Sequence, residues 1–360
     1  MIYLCVTLFS GEAHYLPNGK YIRSIIQQLA SMTYQHNPKL QTPKAPEGWK
    51  GTPLDQKGRF VNLHHPFIPG LMDVLRWQLE KNPFKQTKKS ETWNPVVMTD
   101  DAWLDGSDDV IVWLGHSTFY IRINGIRLLT DPVFGDIFSV KRQSTLPVNV
   151  HRLLHLDYIL LSHDHRDHLD EKSLRLLSAQ NPDVRYLTGL GMKKIVHDFT
   201  QSDKIEEAGW YQQYSGVNIT FIPSRHWSKR GAFDTNKRLW GGFVIEIGGK
   251  RILFGGDSGY DTHYQQLAAV FGGFDYAILG IGAYEPLWFM SPNHQSPKDA
   301  LKAFKELNAR YLIPMHYGTF DLSDEPLGEP LKELYAVAGN DEQVKALTIG
   351  EPLSLSAEHT

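Results

Sequence analysis

The sequence is poor in cysteine, carries no excess of either charge and contains no long hydrophobic run. Cys5 is the one cysteine among 360 residues, which excludes an intramolecular disulfide and a metal site made of several thiolates. The 37 basic and 40 acidic residues give a formal net charge of -3, so the composition predicts no nucleic-acid partner. No apolar run approaches the roughly 20 residues of a transmembrane helix. These absences predict a cytoplasmic protein, soluble or peripheral at the inner face of the membrane.

Residues 1–100 differ from the rest and predict an N-terminal arm that packs on a core domain over residues 101–360. The first nine residues are apolar but lack a basic start and a small-residue cleavage site, which favours a strand or surface-docking segment over a secretion signal. Residues 37–53 predict irregular structure and residues 85–95 a polar linker. Between two prolines, apolar residues at helical spacing predict a short amphipathic helix: Leu71, Val74, Leu75, Trp77 and Leu79. This helix either lies in a bilayer surface or packs on its own domain or a partner subunit.

From about residue 108 the chain alternates short apolar strands with turns and helices. The Asn-Gly pair at 124–125 and the Gly-Gly pair at 248–249 each separate two apolar stretches and predict β-hairpins. Residues 171–180 and 296–307 have the apolar spacing of helices. Blocks of this kind predict an α/β or α+β domain in which helices cover sheets.

Histidine is over-represented, with 16 residues, and several histidines and aspartates follow the ends of predicted strands. Three follow strands late in the chain: His226 after "ITFIP", Asp257 after "RILFGG" and His316 after "YLIPM". Because strand ends can meet at one rim of a sheet, we expect these side chains to converge. The strand "DYILL" leads directly into a denser group: His163, His165, Asp167 and His168.

The spacing of that group has a chemical interpretation. His163 and His165 are two residues apart, so in extended backbone they project to the same side and can hold one ion. Asp167 and His168 come after the chain turns and can face a second ion. Imidazole and carboxylate are zinc-type ligands, although manganese or iron would also accept them. Two ions about 3.5–4 Å apart can share a hydroxide, and the Asp257 carboxylate is long enough to bridge them.

Several nearby residues have less specific interpretations. His116 is expected to pack beside the site rather than to ligate. Asp131 ends a strand and either holds the second nitrogen of a metal-binding histidine or forms a turn before Pro132. Asp170 and Glu171 are expected to begin the helix that follows the histidine group, whereas Asp164 receives no role.

The motif H-x-H-x-D-H over residues 163–168 resembles the signature of the metallo-β-lactamase fold superfamily. Further segments are similar to the family of N-acylphosphatidylethanolamine-hydrolysing phospholipases D, and the resemblance covers about residues 58–320. It implies a four-layer αββα sandwich with an N-terminal extension over residues 1–100. The segments that carry it are "SHDHRDHLD", "PSRHWSKR", "FGGDSGY", "GAYEPLWFM" and "MHYGTF".

The resemblance also implies roles for individual residues. One zinc would be bound by His163, His165 and His226, and a second by Asp167, His168 and His316, with Asp257 bridging the two Zn²⁺ ions. Asp167, Asp257 and His294 would be catalytic. Substrate contacts are implied for four residues: Asn293, His294, Tyr284 and Trp288. For Tyr284 and Trp288 packing in the core is an equal alternative. Three positions depart from the family pattern: Asn293 stands where the family usually carries Gln, Arg166 where it carries Tyr and Ser228 where it carries Cys.

The implied activity is hydrolysis of a membrane phospholipid to an N-acylethanolamine and phosphatidate, by attack of a metal-bound hydroxide on phosphorus. His294 would steady a phosphate oxygen or protonate the leaving group. A metal-dependent lactonase or sugar-phosphate hydrolase, and a non-enzymatic metal-stabilised binding module, are the alternatives. The implied partners are the phospholipid, the membrane surface and, by resemblance, a second copy in a homodimer.

Overall fold

The computed structural model describes residues 32–65, 68–339 and 341–355, and the apolar N-terminal segment with Cys5 lies outside these ranges. Two sheets dominate the fold. The larger has seven strands in the order β14-β3-β4-β5-β6-β7-β8. In chain order these strands are β3 Val110–Trp113, β4 Phe119–Ile123, β5 Ile126–Thr130, β6 Tyr158–Leu161, β7 Arg185–Gly189, β8 Ile205–Ala208 and β14 Pro352–Ser354.

The smaller main sheet has five strands in the order β13-β12-β11-β10-β9. Both predicted hairpins are confirmed, because β4 pairs antiparallel with β5 and β10 pairs antiparallel with β11 across the predicted turns. The five strands are β9 Ile219–Ile222, β10 Gly242–Ile247, β11 Lys250–Phe254, β12 Phe274–Gly280 and β13 Ala309–Met315.

Helices cover the outer faces of both sheets. α3 Glu171–Gln180 and α4 Lys193–Thr200 pack on the seven-stranded sheet, and α5 His263–Phe271 and α7 Pro297–Glu306 on the five-stranded sheet. Two further helices are α6 Leu287–Met290 and α8 Glu329–Ala338. The predicted four-layer αββα sandwich is therefore confirmed.

The core follows from the alternation of side chains along the strands. In β4, Phe119 and Ile121 belong to the large apolar cluster between the sheets. Tyr120 points the other way and packs in the cluster that contains Leu174 of α3. Burial on both faces explains why β4 is apolar throughout rather than alternating.

The N-terminal arm contacts the core at several points. Its short strands β1 Thr33–Gln35 and β2 Thr52–Leu54 pair with each other, and the side-chain hydroxyl of Thr52 accepts the main-chain N–H of Trp210. The predicted amphipathic helix is present as α1 Leu71–Leu79, where Trp77 stacks on Phe289.

The prediction of a polar linker over residues 85–95 is wrong in part, because Lys85–Ser90 forms helix α2. Gln and Lys favour helices, yet no apolar period marked the segment. Lys88 donates to Asp321 at 2.5 Å, a contact between distant parts of the chain that no local pattern reveals. Among the described residues, no helix has both the length and the apolar composition to cross a bilayer.

Candidate metal centre

Four strands deliver polar side chains to one rim of the sandwich. His163 follows β6, His226 follows β9, Asp257 follows β11 and His316 follows β13. Close approaches between these side chains confirm the expectation that the four strand ends converge.

Three histidines form a first cluster of potential ligands. The Nδ1 atom of His165 lies 3.0 Å from Nε2 of His163 and 3.0 Å from Nε2 of His226. One ring nitrogen cannot satisfy both neighbours as a hydrogen-bond donor, whereas three imidazole nitrogens converge in this way around a common ion. Nδ1 of His226 lies 3.1 Å from the carbonyl oxygen of Asn293, which places its proton there and leaves Nε2 a lone pair for metal.

A second cluster forms around the carboxylate of Asp167. Its Oδ2 atom lies 3.5 Å from Nε2 of His168 and 3.6 Å from Nε2 of His316. His116 was expected beside the site, and its Nε2 lies 3.2 Å from the same oxygen. The four donors are close enough to one another to hold an ion.

The carboxylate of Asp257 lies between the clusters. Its Oδ2 atom is 3.1 Å from Nε2 of His168 and 3.2 Å from Nε2 of His316. The same oxygen is 3.8 Å from Nε2 of His163 and 3.8 Å from Nε2 of His226. The position is the one that a bridging ligand requires.

The residues present fit a pair of metal ions. Nε2 of His168 and Nε2 of His316 are buried and lie 3.1 Å and 3.2 Å from Oδ2 of Asp257 without forming a hydrogen bond, although buried polar atoms are normally paired. Burial lowers the pKa of His163 and His226 well below the usual value. The electron-donating, unprotonated form of imidazole that a metal needs is therefore the stable form of both residues.

The acidic ligands are ionised for a different reason. Burial raises the pKa of Asp257, but the neighbouring His168 and His316 outweigh it and hold that pKa well below the usual value. The reciprocal effect of Asp257 and Asp167 raises the pKa of His316 to about 9 despite its burial. In the metal-free protein His316 is therefore protonated beside the ionised carboxylates of Asp257 and Asp167. A metal ion would replace the proton on His316.

A buried network holds His168 in place. Its Nδ1 atom lies 2.8 Å from Oδ2 of Asp131, which confirms the predicted outer contact of Asp131 and directs Nε2 of His168 towards the site. The hydroxyl of Ser162 donates to the same carboxylate at 2.5 Å. His116, Asp131 and His316 all have positive φ angles, a costly backbone conformation that concentrates at functional sites.

Asp164, which received no role from the sequence, fastens the ligand loop to a neighbouring segment. It is fully buried and accepts from Nε of Arg238 at 2.6 Å and from the main-chain N–H of Lys229 at 3.0 Å. The alternation of side chains along an extended chain could have indicated this, because His163 and His165 face the candidate metal centre and Asp164 between them must then point away from it.

Asn62 of the N-terminal arm was also missed. Its side-chain amide donates to the carbonyl of His226 at 2.8 Å and accepts the N–H of His226 at 3.2 Å. The indole of Trp240 donates to the same amide oxygen at 3.2 Å. The arm therefore helps to fix the backbone of a candidate ligand, a contact over 164 residues that no local pattern could reveal.

The four predicted substrate residues divide into two pairs. Nδ1 of His294 lies 3.8 Å from Oδ2 of Asp257, and burial lowers its pKa to about 4. Asn293 lies beside it, with a buried side-chain oxygen that has no partner. The hydroxyl of Tyr284 instead donates to Glu333 and the indole of Trp288 to Glu80, so neither polar group is directed at the candidate metal centre. Their substrate contacts stay predictions.

Comparisons with known proteins agree with this geometry. Residues 126–317 match the family model described as Beta-lactamase superfamily domain. An N-acyl-phosphatidylethanolamine-hydrolyzing phospholipase D of Caenorhabditis elegans is 33% identical over 292 residues, 74% of this chain and 82% of the relative. A mitochondrial protein of the same name from Saccharomyces cerevisiae is 33% identical over 307 residues, 80% of this chain and 64% of the relative.

Solved structures share the fold at lower identity. An isothiocyanate hydrolase from Delia radicum gut bacteria is 20% identical with a TM-score of 0.56, covering 69% of this chain and all of the other. A metallo hydrolase from Ignicoccus hospitalis is 20% identical with a TM-score of 0.51, covering 69% of this chain and 99% of the other. These structures show the fold, and the family model with the two relatives shows that the chain is a hydrolase of the metallo-β-lactamase superfamily and belongs to the family of N-acylphosphatidylethanolamine-hydrolysing phospholipases D.

Proposed function

We propose that the protein is a dinuclear zinc phosphodiesterase of the phospholipase D type that hydrolyses N-acylphosphatidylethanolamine or a related membrane phospholipid. The observation that carries the proposal is the position of Asp257, whose Oδ2 atom lies 3.1–3.8 Å from histidines of both clusters. Two relatives that carry the name of this activity support the choice of substrate. The imidazole and carboxylate donors favour zinc, with manganese or iron as substitutes.

In the proposed reaction a water oxygen bonds to phosphorus, and the bond between phosphorus and the ethanolamine oxygen breaks. The leaving oxygen takes up a proton, so that the products are phosphatidate and an N-acylethanolamine. Two ions at the site would supply Lewis-acid stabilisation of charge on phosphorus and would lower the pKa of water. The histidines and Asp167 hold the donor geometry, and Asp257 fixes the separation of the two clusters.

The test offers the metal-loaded protein three substrates side by side: N-acylphosphatidylethanolamine, a lactone and an oligonucleotide. We expect release of an N-acylethanolamine from the lipid and no comparable turnover of the other two. Hydrolysis of the lactone alone would show that the lactonase alternative is correct. Metal content below about one ion per chain with full activity would contradict the dinuclear site.

Replacing His294 by alanine is expected to lower kcat on a soluble phosphodiester by about 100-fold. Its ring lies 5.1 Å from that of His316 and 5.3 Å from that of His226, close enough for its N–H to donate to a phosphate oxygen at the metals. A comparable loss follows removal of one transition-state hydrogen-bond donor in other enzymes. His197→Ala, on the surface helix α4, serves as the control. Full turnover by His294→Ala would rule out a role for this residue in either stabilisation or proton transfer.

Helix α1 is the surface that we propose to dock on the membrane. Its apolar side chains are exposed, with Leu71 at 76%, Met72 at 74% and Leu79 at 86%. Exposed lysines follow the helix in sequence: Lys81, Lys85 and Lys89. Apolar side chains flanked by cations fit the interface of an anionic bilayer.

Changing both Leu71→Ser and Leu79→Ser is expected to lower binding to phosphatidylglycerol-containing vesicles by about tenfold or more, because each leucine loses its burial in the acyl region. Vesicle sedimentation measures this, and Leu154→Ser is the control, an exposed leucine in the loop before β6. Unchanged binding would contradict the membrane role. If the double variant instead converts a dimer to a monomer, the same face is a subunit interface.

A further inference from the structure

A cleft opens beside the metal-binding loop, outside the cluster of ligands. Its volume is about 720 Å³, and it is bounded by residues 134–138 and by the first turns of α3. Two arginines reach it from separate segments, Arg166 from between His165 and Asp167, and Arg230 from the loop after β9. The cleft is thus adjacent to the metal centre and carries cations of its own.

The positive charge of both arginines is uncompensated by ion pairs. Arg230 donates to the main-chain carbonyls of Asp164 at 3.0 Å and Leu169 at 2.8 Å, which are neutral acceptors. Arg166 is exposed, and its guanidinium lies 5.9 Å from the ring centre of Phe138. Across the three described ranges, neither arginine has a carboxylate within ion-pair distance.

The three acidic side chains that line the cleft each have a partner other than Arg166 and Arg230. Asp170 accepts the N–H and hydroxyl of Ser173, and Glu171 pairs with Arg175 at 2.7 Å. Asp136 accepts the main-chain N–H of Arg142. Burial lowers the pKa of Arg230 and repulsion from Arg166 lowers it further, whereas the carboxylates of Asp164 and Asp170 act in the opposite direction. By formal charge the four cations of the lining, Arg166, Lys172, Arg175 and Arg230, outnumber its three anions, Asp136, Asp170 and Glu171, by one in a protein whose net charge is -3.

The remaining wall of the cleft is apolar. Phe138 is 91% exposed, although a large aromatic side chain normally gains free energy from burial. Phe134, Ile137 and Leu176 complete the same wall. A ligand that fits the cleft therefore has an anionic group that contacts the two guanidiniums and a hydrocarbon part that contacts the apolar wall.

We propose that this cleft binds the phosphate group of a second, anionic phospholipid, separate from the molecule that is hydrolysed. The bound class is a phosphate monoester on a diacylglycerol or a similar apolar group. The guanidinium of an arginine can donate two parallel hydrogen bonds to the oxygens of a phosphate. The volume of the cleft accommodates a phospholipid headgroup with the first part of its acyl chains. The site stands on the cleft itself and does not require the proposed reaction. A free phosphate ion has the same anionic chemistry, so the experiment separates the two sources.

The test titrates the metal-loaded full chain with three ligands by calorimetry: short-chain phosphatidate, phosphatidylcholine with the same chains, and inorganic phosphate. We expect phosphatidate to bind at least about tenfold more tightly than either of the others. Arg166→Gln is expected to weaken phosphatidate binding by about tenfold, the effect of losing one charge-assisted contact, without loss of metal. Lys194→Gln on α4 is the control, since Lys194 is exposed, is paired with Asp198 and does not line the cleft.

Phe138→Ser provides a second variant outside the metal-binding loop, in case Arg166→Gln disturbs that loop. It is expected to weaken phosphatidate binding and to leave phosphate binding unchanged, which would support a lipid ligand. Equal affinity for phosphate and phosphatidate, insensitive to Phe138→Ser, would overturn the lipid assignment. Unchanged phosphatidate binding by Arg166→Gln, with metal retained, would overturn the site altogether.

Discussion

Replacing Asp257 by asparagine is expected to lower kcat for phosphodiester hydrolysis by more than about 100-fold. Mutation of residues that contact only the metal ligands commonly lowers metal affinity or activity by about 10- to 100-fold. A larger loss is expected for Asp257, which lies between both clusters. Asparagine keeps the size of the side chain but removes the charge that holds His168 and His316 in their close approach to Oδ2. Turnover of a soluble phosphodiester and metal content per chain are the two measurements.

Asp261→Asn is the matched control for this change. Asp261 is buried in the same stretch between β11 and α5, but its carboxylate contacts His65 at 2.9 Å rather than the clusters. We expect this variant to retain two ions and activity within about threefold of the unaltered protein, since changes remote from the reacting groups cost little. Full activity of Asp257→Asn with both ions retained would show that Asp257 is no bridging ligand.

Replacing Arg238 by methionine is expected to destabilise the fold by about 3 kcal/mol, because it leaves a charge buried without its partner. Asp164 is fully buried, and Nε of Arg238 is 2.6 Å from its carboxylate. Arg238 also pairs with Asp234, so the loop over residues 228–238 loses its attachment as well. The free energy of unfolding, measured by urea titration, reports the change.

Two comparisons make this prediction specific to the buried pair. Arg175→Met breaks an exposed pair on α3 and is expected to cost less than about 1 kcal/mol. Adding Asp164→Asn to Arg238→Met removes the unpaired charge and is expected to recover part of the loss. Equal stability of Arg238→Met and Arg175→Met would contradict the account of Asp164 as a charge that needs its partner.

The strand ends and their histidines could be predicted from the sequence because the signals are local. A short apolar strand, a two-residue turn and the H-x-H spacing are each contained within a few residues, and His163 and His165 lie together as that spacing indicates. The same local logic placed Asp170 at the start of α3, where its side chain accepts the N–H of Ser173.

The contacts that support the ligands could not be predicted in this way. Asn62 binds the backbone of His226, and the carbonyl of Asn293 faces the ring of the same histidine. These partners are distant in sequence and meet only because the two sheets pack together. Their residue types, an amide and a main-chain carbonyl, are too common to mark them out.

The aromatic segment that follows β12 shows a further limit. The family resemblance implied substrate contacts for Tyr284 and Trp288, with core packing as the alternative, and their polar atoms contact Glu333 on α8 and Glu80 next to α1. The guanidinium of Arg76 also lies 4.1 Å from the ring centre of Trp288. A motif shared within a family identifies residues that matter to the fold or the site without separating the two.

Hydrolysis of N-acylphosphatidylethanolamine in ¹⁸O-labelled water tests the central claim most directly. The metal-loaded protein is incubated with the lipid, and both products are analysed by mass spectrometry. Attack of water on phosphorus at the site formed by the two histidine clusters and Asp257 predicts one ¹⁸O atom in phosphatidate and none in the N-acylethanolamine. Label in the N-acylethanolamine, or no turnover with two ions bound, would contradict a phosphodiesterase of the phospholipase D type.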